Sequence, residues 1–184
     1  TLAEHLERVQ WAVRPTVVME ADTVIGPPLQ VELGDIQEKE VVAATKRLHD
    51  QKACGLDGIP SEFWKCVMLP GSYAAATLTR FCNLCWQTKS VPKAWRIAQV
   101  ATLFKKGDPA LCDNYRPISL FSVGYKLFAN VLLDRLRTAG AEERLWKTQF
   151  GFKRQRGTND ALFIVRRMLE QITSEKNGQA VFLA

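Results

Sequence analysis

The feature that most constrains the fold is a pair of extended segments placed between helical ones. Residues 97–104 and 115–120 are rich in β-branched and aromatic side chains, which favour strands. The stretch from Lys105 to Pro109 and the dipeptide Asp113-Asn114 lie between them and have the composition of a loop. This pattern predicts one long antiparallel β-hairpin.

Helical spacing of apolar residues dominates the rest of the chain, so the predicted fold class is α+β, mostly helical with a long β-hairpin. Asp35 and Glu38 have the spacing of a capping box, and we expect the first long helix to begin there. Prolines interrupt residues 1–34, which predicts an irregular lead-in to a single unit, residues 35–184. The predicted helices cover residues 35 to about 51, a short segment from 61, 72 to about 86, 122 to about 136, and 158 to about 173.

The charge of the chain favours anionic partners. Its 184 residues carry a formal net charge of +6, and the pI is about 9.2. Between Lys147 and Arg167 the basic residues are opposed by the single acid Asp160, so positive charge is concentrated there. No apolar run has the length of a membrane span, and no basic start leads into an apolar segment. We therefore expect an intracellular protein of the nucleus or the cytoplasm that has no membrane partner.

The spacing of Cys82 and Cys85 matches half of a zinc site. A second half with close cysteine or histidine spacing is missing, since the only histidines are His5 and His49. We expect the two cysteines to pack as small apolar side chains on one helix face, and we expect no metal site.

Lys105, Lys106 and Arg116 would come together if the two extended segments pair as a hairpin. A mobile ammonium group and a planar guanidinium fork suit the oxygens of a triphosphate. The same residues are also typical of a solvated hairpin tip, and pattern alone favours that structural interpretation.

Glycines, aromatic residues and basic residues alternate between Gln149 and Asp160. Gly151 would let the backbone approach a ligand, Phe152 could stack on a base, and Arg156 could reach a phosphate. The structural alternative is a loop whose phenylalanines enter the core while its charges face water.

The acids of the chain do not have the arrangement that a two-metal nucleotidyl transferase requires. Asp57 lies between glycines, Asp108 and Asp113 fall in a predicted turn, and Asp160 falls at a predicted helix start. The chemistry alone therefore predicts a nucleotide or nucleic-acid binder without a catalytic centre of its own.

Four sequence blocks, taken in order, resemble a known family. They are Lys52 to Phe63, Trp95 to Lys106, Asn114 to Leu120 with the string Tyr-Arg-Pro-Ile-Ser, and Gln149 to Phe152. Together these blocks closely resemble the reverse transcriptase domain of non-LTR (LINE-type) retrotransposons, over about residues 17 to 184.

The resemblance implies the fingers and the first part of the palm of a right-hand nucleic-acid polymerase. Lys105 or Lys106 and Arg116 match residues that hold the incoming deoxynucleoside triphosphate. The block that contains Gly55 and Asp57 matches an extension placed on the template strand. The loop residues Gln149, Gly151, Phe152 and Arg156 match the part that lies against the RNA template and the nascent RNA/DNA hybrid.

Two mild departures from the family pattern are Leu56, where proline is usual, and Phe121, where leucine is usual. Residues 179–184 have the pattern of a strand and resemble the start of the strand that leads into the first catalytic aspartate. We therefore expect the catalytic aspartates to be absent from this chain. The parent enzyme would use Mg²⁺, and we expect no cofactor for this chain alone.

Three functions stay open at this stage. The first is a fragment of an RNA-directed DNA polymerase that does not polymerise by itself. The second is a non-catalytic remnant that binds RNA or an RNA/DNA hybrid, and the third is a genomic relic without function.

Overall fold

A computed structural model describes residues 1–12 and 26–174 of the chain as mixed helices with one two-stranded sheet. None of the helices in these residues is both long enough and apolar enough to cross a bilayer. The strand predicted for residues 179–184 lies outside the described residues. The elements in chain order are α1 (Leu2–His5, continued by a π-helical turn, Leu6–Gln10), α2 (Glu38–Lys46), α3 (Ser61–Val67), α4 (Tyr73–Thr88), β1 (Gln99–Phe104), β2 (Tyr115–Leu120), α5 (Val123–Thr138) and α6 (Thr158–Ser174).

The predicted hairpin is confirmed. Strands β1 and β2 pair antiparallel, with Gln99 opposite Leu120 at one end and Phe104 opposite Tyr115 at the other. Every residue of β1 is exposed, so the hairpin extends from the helices instead of lying under them. The α+β class is thereby confirmed as a mixture of helices with an antiparallel pair.

The core lies between α2, α4 and α5. Ser72 and Ser122 act as N-caps of α4 and α5, accepting hydrogen bonds from the backbone N–H groups of Ala75 and Tyr125. The two caps fix where these helices begin. The buried apolar side chains of the core are Ile36, Val41, Val42, Ala44, Met68, Ala75, Leu78, Cys82, Cys85, Leu127, Phe128 and Val131.

The start predicted for the first long helix is wrong by three residues. Asn83 of α4 accepts a hydrogen bond from the N–H of Ile36 at 2.6 Å and donates to the carbonyl of Ile36 at 2.9 Å. This clamp holds Ile36 outside the helix. The carboxylate that accepts from the helix start is Glu40, 2.7 Å from the N–H of Gln37, instead of Glu38. The helix also ends earlier than predicted, at Lys46.

Arg135 is the most heavily bonded side chain of the core region. Its guanidinium makes five hydrogen bonds: two to the Glu40 carboxylate at 2.7 and 2.8 Å, and one each to the carbonyls of Glu32, Gly34 and Asp35 at 3.2, 2.7 and 3.0 Å. The residue is 5% exposed. One side chain of α5 therefore binds both α2 and the irregular segment that precedes it.

The bonds from Arg135 also act on the ionisation of Glu40. The guanidinium holds the pKa of the Glu40 carboxyl below its usual value, chiefly by hydrogen bonding, while partial burial opposes that shift. Because a lowered folded-state pKa stabilises the fold only while the group is ionised, this contribution is present near neutral pH and is lost in acid.

Three features of the helices do not follow from apolar spacing. At the end of α5, Leu136 is exposed while Arg135 is buried. None of the described residues of α6 is buried, and Val165 and Leu169 are exposed. Helix α1 and its π-helical turn lie within residues 1–12, with Leu6 buried.

We expect Arg135→Met to lower the free energy of unfolding by about 3 kcal/mol, because it removes the positive charge from the Glu40 carboxylate and takes this donor from three backbone carbonyls. The measurement is urea denaturation of the 184-residue chain. Arg166→Met, which breaks the exposed pair of Arg166 with Glu170, is the matched control and should cost less than about 1 kcal/mol. Equal losses in the two variants would contradict the role given to Arg135.

Candidate nucleic-acid interface

The loop that joins β1 to β2 is held in shape by its own hydrogen bonds. The N–H of Lys105 donates to the carbonyl of Asn114 at 2.8 Å and extends the ladder by one residue. The Asn114 side chain donates to the carbonyl of Asp108 at 2.9 Å. Gly107 has a φ of +96°, and a Cβ there would lie 2.8 Å from Asn114 Nδ2, so this position requires glycine. The loop is thus ordered before any ligand binds.

Two of the predicted triphosphate-binding residues share a face of the hairpin. Arg116 lies opposite Leu103 in the register, and Lys105 follows Leu103 by two residues, so the two basic residues are diagonal neighbours on one side. Lys106 begins the turn beyond them. All three are exposed, and no acid in the described part of the chain forms an ion pair with any of them.

Trp95 connects the base of the hairpin to the helical core. Its ring lies 5.2 Å from that of Phe81, 5.8 Å from that of Tyr125 and 6.1 Å from that of Phe128, measured between centroids. These aromatic contacts come from α4 and α5. The hairpin therefore has a fixed base, while both faces of its strands remain accessible.

The glycine-rich turn before α3 packs against the junction between β2 and α5. Gly55 is buried, and a Cβ on it would lie 2.5 Å from the backbone nitrogen of Ser122 and 2.9 Å from the carbonyl oxygen of Phe121. Asp57 is exposed, and its carboxylate accepts a hydrogen bond from the N–H of Ile59 at 3.3 Å. The template contacts predicted for Gly55 and Asp57 stay predictions, and the close packing is a structural reason for the glycine.

The loop ahead of α6 presents an aromatic side chain to solvent. Phe152 is fully exposed and has a φ of +59°. The Gln149 side chain donates to the carbonyl of Gly151 at 3.0 Å, and the guanidinium of Arg156 lies 5.6 Å from the ring centroid of Phe150. The structural alternative, in which both phenylalanines enter the core, is therefore wrong for Phe152, whereas Phe150 is half-buried.

Asp160 stabilises the start of α6. Its carboxylate accepts a hydrogen bond from the N–H of Gly157 at 2.7 Å, and its own N–H donates to the carbonyl of Gly157 at 3.1 Å. The predicted place of Asp160 at a helix start is confirmed.

The predicted nucleotide-binding residues of the hairpin and the predicted template-binding loop do not contact each other through polar groups. Within residues 1–12 and 26–174, no hydrogen bond or ion pair joins Lys105, Lys106 or Arg116 to the loop of Gln149–Arg156. A residue that the sequence analysis missed does touch the hairpin loop: His5 Nε2 lies 3.1 Å from Asp113 Oδ1. No local spacing signals that contact, because it joins the two ends of a long stretch of chain.

Cys82 and Cys85 lie in the core, as predicted. Burial raises the pKa of the Cys82 thiol to about 12, so this thiol stays protonated and packs as an apolar group. In the part of the chain that the structure describes, no three histidine, cysteine, aspartate or glutamate side chains form a group that could hold a metal ion.

Compared with known proteins, the chain is similar over most of its length to the RNA-directed DNA polymerases of mobile elements. The resemblance to non-LTR retrotransposon reverse transcriptases is thereby confirmed. No protein-family model matches the chain.

Three relatives illustrate the similarity. The chain is 29% identical to the probable RNA-directed DNA polymerase from transposon BS of Drosophila melanogaster, over 85% of this chain and 17% of that protein. It is 28% identical to the RNA-directed DNA polymerase from mobile element jockey of the same fly, over 84% of this chain and 17% of that protein. A Xenopus laevis relative, the transposon TX1 uncharacterized 149 kDa protein, is 31% identical over 56% of this chain and 8% of its own length. The chain thus spans less than a fifth of the length of each of these three relatives.

We expect Gly55→Ala to lower the free energy of unfolding by about 2 kcal/mol, because the new Cβ meets backbone atoms of Phe121 and Ser122 that cannot move aside easily. Thermal and urea unfolding measure the loss. Gly151→Ala is the control, since its Cβ would meet only Gln149 Nε2, at 3.6 Å, and it should be nearly neutral. A neutral Gly55→Ala would refute the close packing of this turn.

Proposed function

We propose that this chain is part of an RNA-directed DNA polymerase of a non-LTR retrotransposon, in which it binds the incoming nucleotide and the template. In this proposal it corresponds to the fingers and the first part of the palm of a right-hand polymerase. The observation that carries the proposal is the hairpin register, which sets Lys105 and Arg116 on one exposed face without an acidic partner among the described residues. The similarity to polymerases of mobile elements supports the same function.

The hairpin is suited to a triphosphate for electrostatic and geometric reasons. A guanidinium can donate two parallel hydrogen bonds to phosphate oxygens, while a nearby ammonium adds a mobile charge. Arg116 and Lys105 supply these two groups from adjacent strands, and Lys106 adds a third cation at the turn. Because the loop is already ordered by Asn114 and Gly107, binding would cost little conformational entropy.

The loop ahead of α6 is suited to a nucleic-acid strand. An exposed aromatic ring gives a stacking surface that any base can use, and a basic side chain in the same loop can contact the backbone. Phe152 and Arg156 provide these two groups, and the exposed Gln149 and Gly151 leave the backbone open to close approach. We propose that these four residues contact the template or the template strand of a hybrid.

Mg²⁺ is the metal that the proposed parent enzyme would use. It would stabilise the charge that develops on the transferred phosphoryl group. No group of ligands in the described residues fits such an ion, so we assign no step of catalysis to residues of this chain.

A second candidate function is binding of RNA without polymerisation. The full exposure of Phe152 favours it, because an aromatic side chain in water is available for stacking whether or not a nucleotide occupies the hairpin. The two experiments below separate the candidates, since only the polymerase proposal requires the hairpin to bind a triphosphate.

We expect Arg116→Gln to weaken the binding of a fluorescent deoxynucleoside triphosphate by roughly tenfold, because a charge-assisted hydrogen bond contributes about 1.5 kcal/mol or more. Lys105→Gln should weaken it to a smaller extent. Fluorescence anisotropy of the 184-residue chain gives the dissociation constants.

The matched controls are Arg96→Gln and Lys93→Gln, which remove the same charges from exposed positions in the turn that precedes the hairpin. Neither should change triphosphate affinity more than about twofold. If all four variants bind alike, the hairpin is not the nucleotide site and the polymerase proposal fails.

We expect Phe152→Ala to lower affinity for a short single-stranded RNA by about 1 to 3 kcal/mol, the contribution of one base stacked on an aromatic ring. Filter binding at fixed salt measures the change. Tyr73→Ala removes another exposed aromatic ring, at the start of α4, and serves as the control. Equal RNA affinity in Phe152→Ala and the parent chain would remove this loop from the interface.

A further inference from the structure

A cleft of about 370 Å³ lies between the end of α2, the start of α3 and the outer side of α5. It shares no residue with the hairpin tip or with the loop of Gln149–Arg156. We name it the basic cleft and define it by six of its lining residues: Arg47, Lys52, Lys126, Asn130, Asp134 and Arg137.

One helix supplies most of these residues at a regular spacing. Lys126, Asn130, Asp134 and Arg137 follow one another at intervals of four, four and three residues, which places them on a single stripe of α5. The inward side of the same helix carries Leu127 and Val131, which are buried in the core. The stripe is therefore held in place by the packing that anchors α5.

The charges of the basic cleft do not balance. Asp134 pairs with Arg47, and Glu142 pairs with Arg137 at 2.6 Å, so these two arginines are neutralised. In the described residues, Lys52 and Lys126 have no acid within ion-pair distance. Two ammonium groups thus remain to attract an anion.

Of the two lysines, Lys52 is exposed and Lys126 is only partly exposed. The ammonium group of Lys126 has no carboxylate partner among the described residues, so an anion that enters the cleft meets an uncompensated charge there. Asn130, one turn further along α5, adds neutral amide donors beside it. Two cations and neutral donors around a small cleft are chemistry that suits the oxygens of a phosphate group.

We propose that the basic cleft binds a phosphate group, and that the backbone of a nucleic-acid strand supplies it. The assignment to a nucleic-acid backbone rests on the proposed function, whereas the phosphate chemistry rests on the cleft alone. Lys52 opens the segment whose Gly55 packs beside the N-cap of α5, so the cleft continues the surface expected to face the template. A strand bound there would contact residues other than those of the hairpin tip.

The first arm of the test is a titration of the isotope-labelled 184-residue chain, followed by NMR, with inorganic phosphate and separately with a short single-stranded RNA. We expect the amide signals of Lys52, Lys126 and Asn130 to shift with both ligands. Shifts with RNA but not with inorganic phosphate would also support the site. They would identify the nucleic-acid backbone as the source of the bound phosphate group.

The second arm compares RNA binding by the double variant Lys52→Gln/Lys126→Gln with the control Lys89→Gln/Lys93→Gln. Both variants lose two positive charges, but the control positions lie outside the cleft. The cleft variant should bind RNA roughly tenfold more weakly. The slope of its log affinity against log salt concentration should fall by about two released counterions. The control variant should keep the slope of the parent chain.

The outcomes separate the two proposals. If inorganic phosphate shifts the cleft amide signals and the cleft variant still binds RNA like the parent chain, the ligand of the cleft is free phosphate and not a nucleic-acid backbone. If neither ligand moves the three amides and the two double variants bind alike, the basic cleft is not a phosphate site. Complete failure of the parent chain to bind RNA would refute the proposed function, while the phosphate titration would still decide the cleft, even if the cleft variant did not fold.

Discussion

The guanidinium of Arg135 holds together parts of the chain that are far apart in sequence. It spans 95 residues to reach Glu40 and 103 to reach the carbonyl of Glu32. A buried charge of this kind is costly unless every donor finds a partner, and here the carboxylate and three carbonyls supply them. Asn83 adds a second clamp on Ile36. Both clamps act on the segment ahead of α2, which determines where that helix begins and how it meets α4 and α5.

The hairpin, the Gly55 turn and the basic cleft depend on this arrangement because α5 is common to them. Its N-cap packs beside Gly55, its first turn contacts Trp95 at the base of the hairpin, and its outer stripe forms the basic cleft. The hairpin and loop residues that would bind ligands are exposed, while Gly55 and Arg135, which help to position the surfaces, are buried. A chain that lost the Arg135 network would therefore be expected to lose the relative placement of these surfaces as well as stability.

Local sequence patterns predicted the elements well and their packing less well. Strand composition and loop residues were sufficient for the hairpin, since both are set by neighbours along the chain, and pairing then placed Lys105 and Arg116 on one face. The inward position of Arg135 could not be found from apolar spacing, because its partners are distant and its charge argues for exposure. The same limit explains Gly55: its residue type fits a turn, but its burial depends on where β2 meets α5.

Hydrogen–deuterium exchange of the 184-residue chain would test most directly whether the hairpin and the loop are binding surfaces. The chain would be compared alone, with a deoxynucleoside triphosphate, and with single-stranded RNA, and the buried part of α4 would serve as an internal reference. The account predicts slower exchange in residues 105–116 with the triphosphate and in residues 149–157 with RNA. Bound ligand that leaves both segments unchanged, with protection elsewhere, would contradict it.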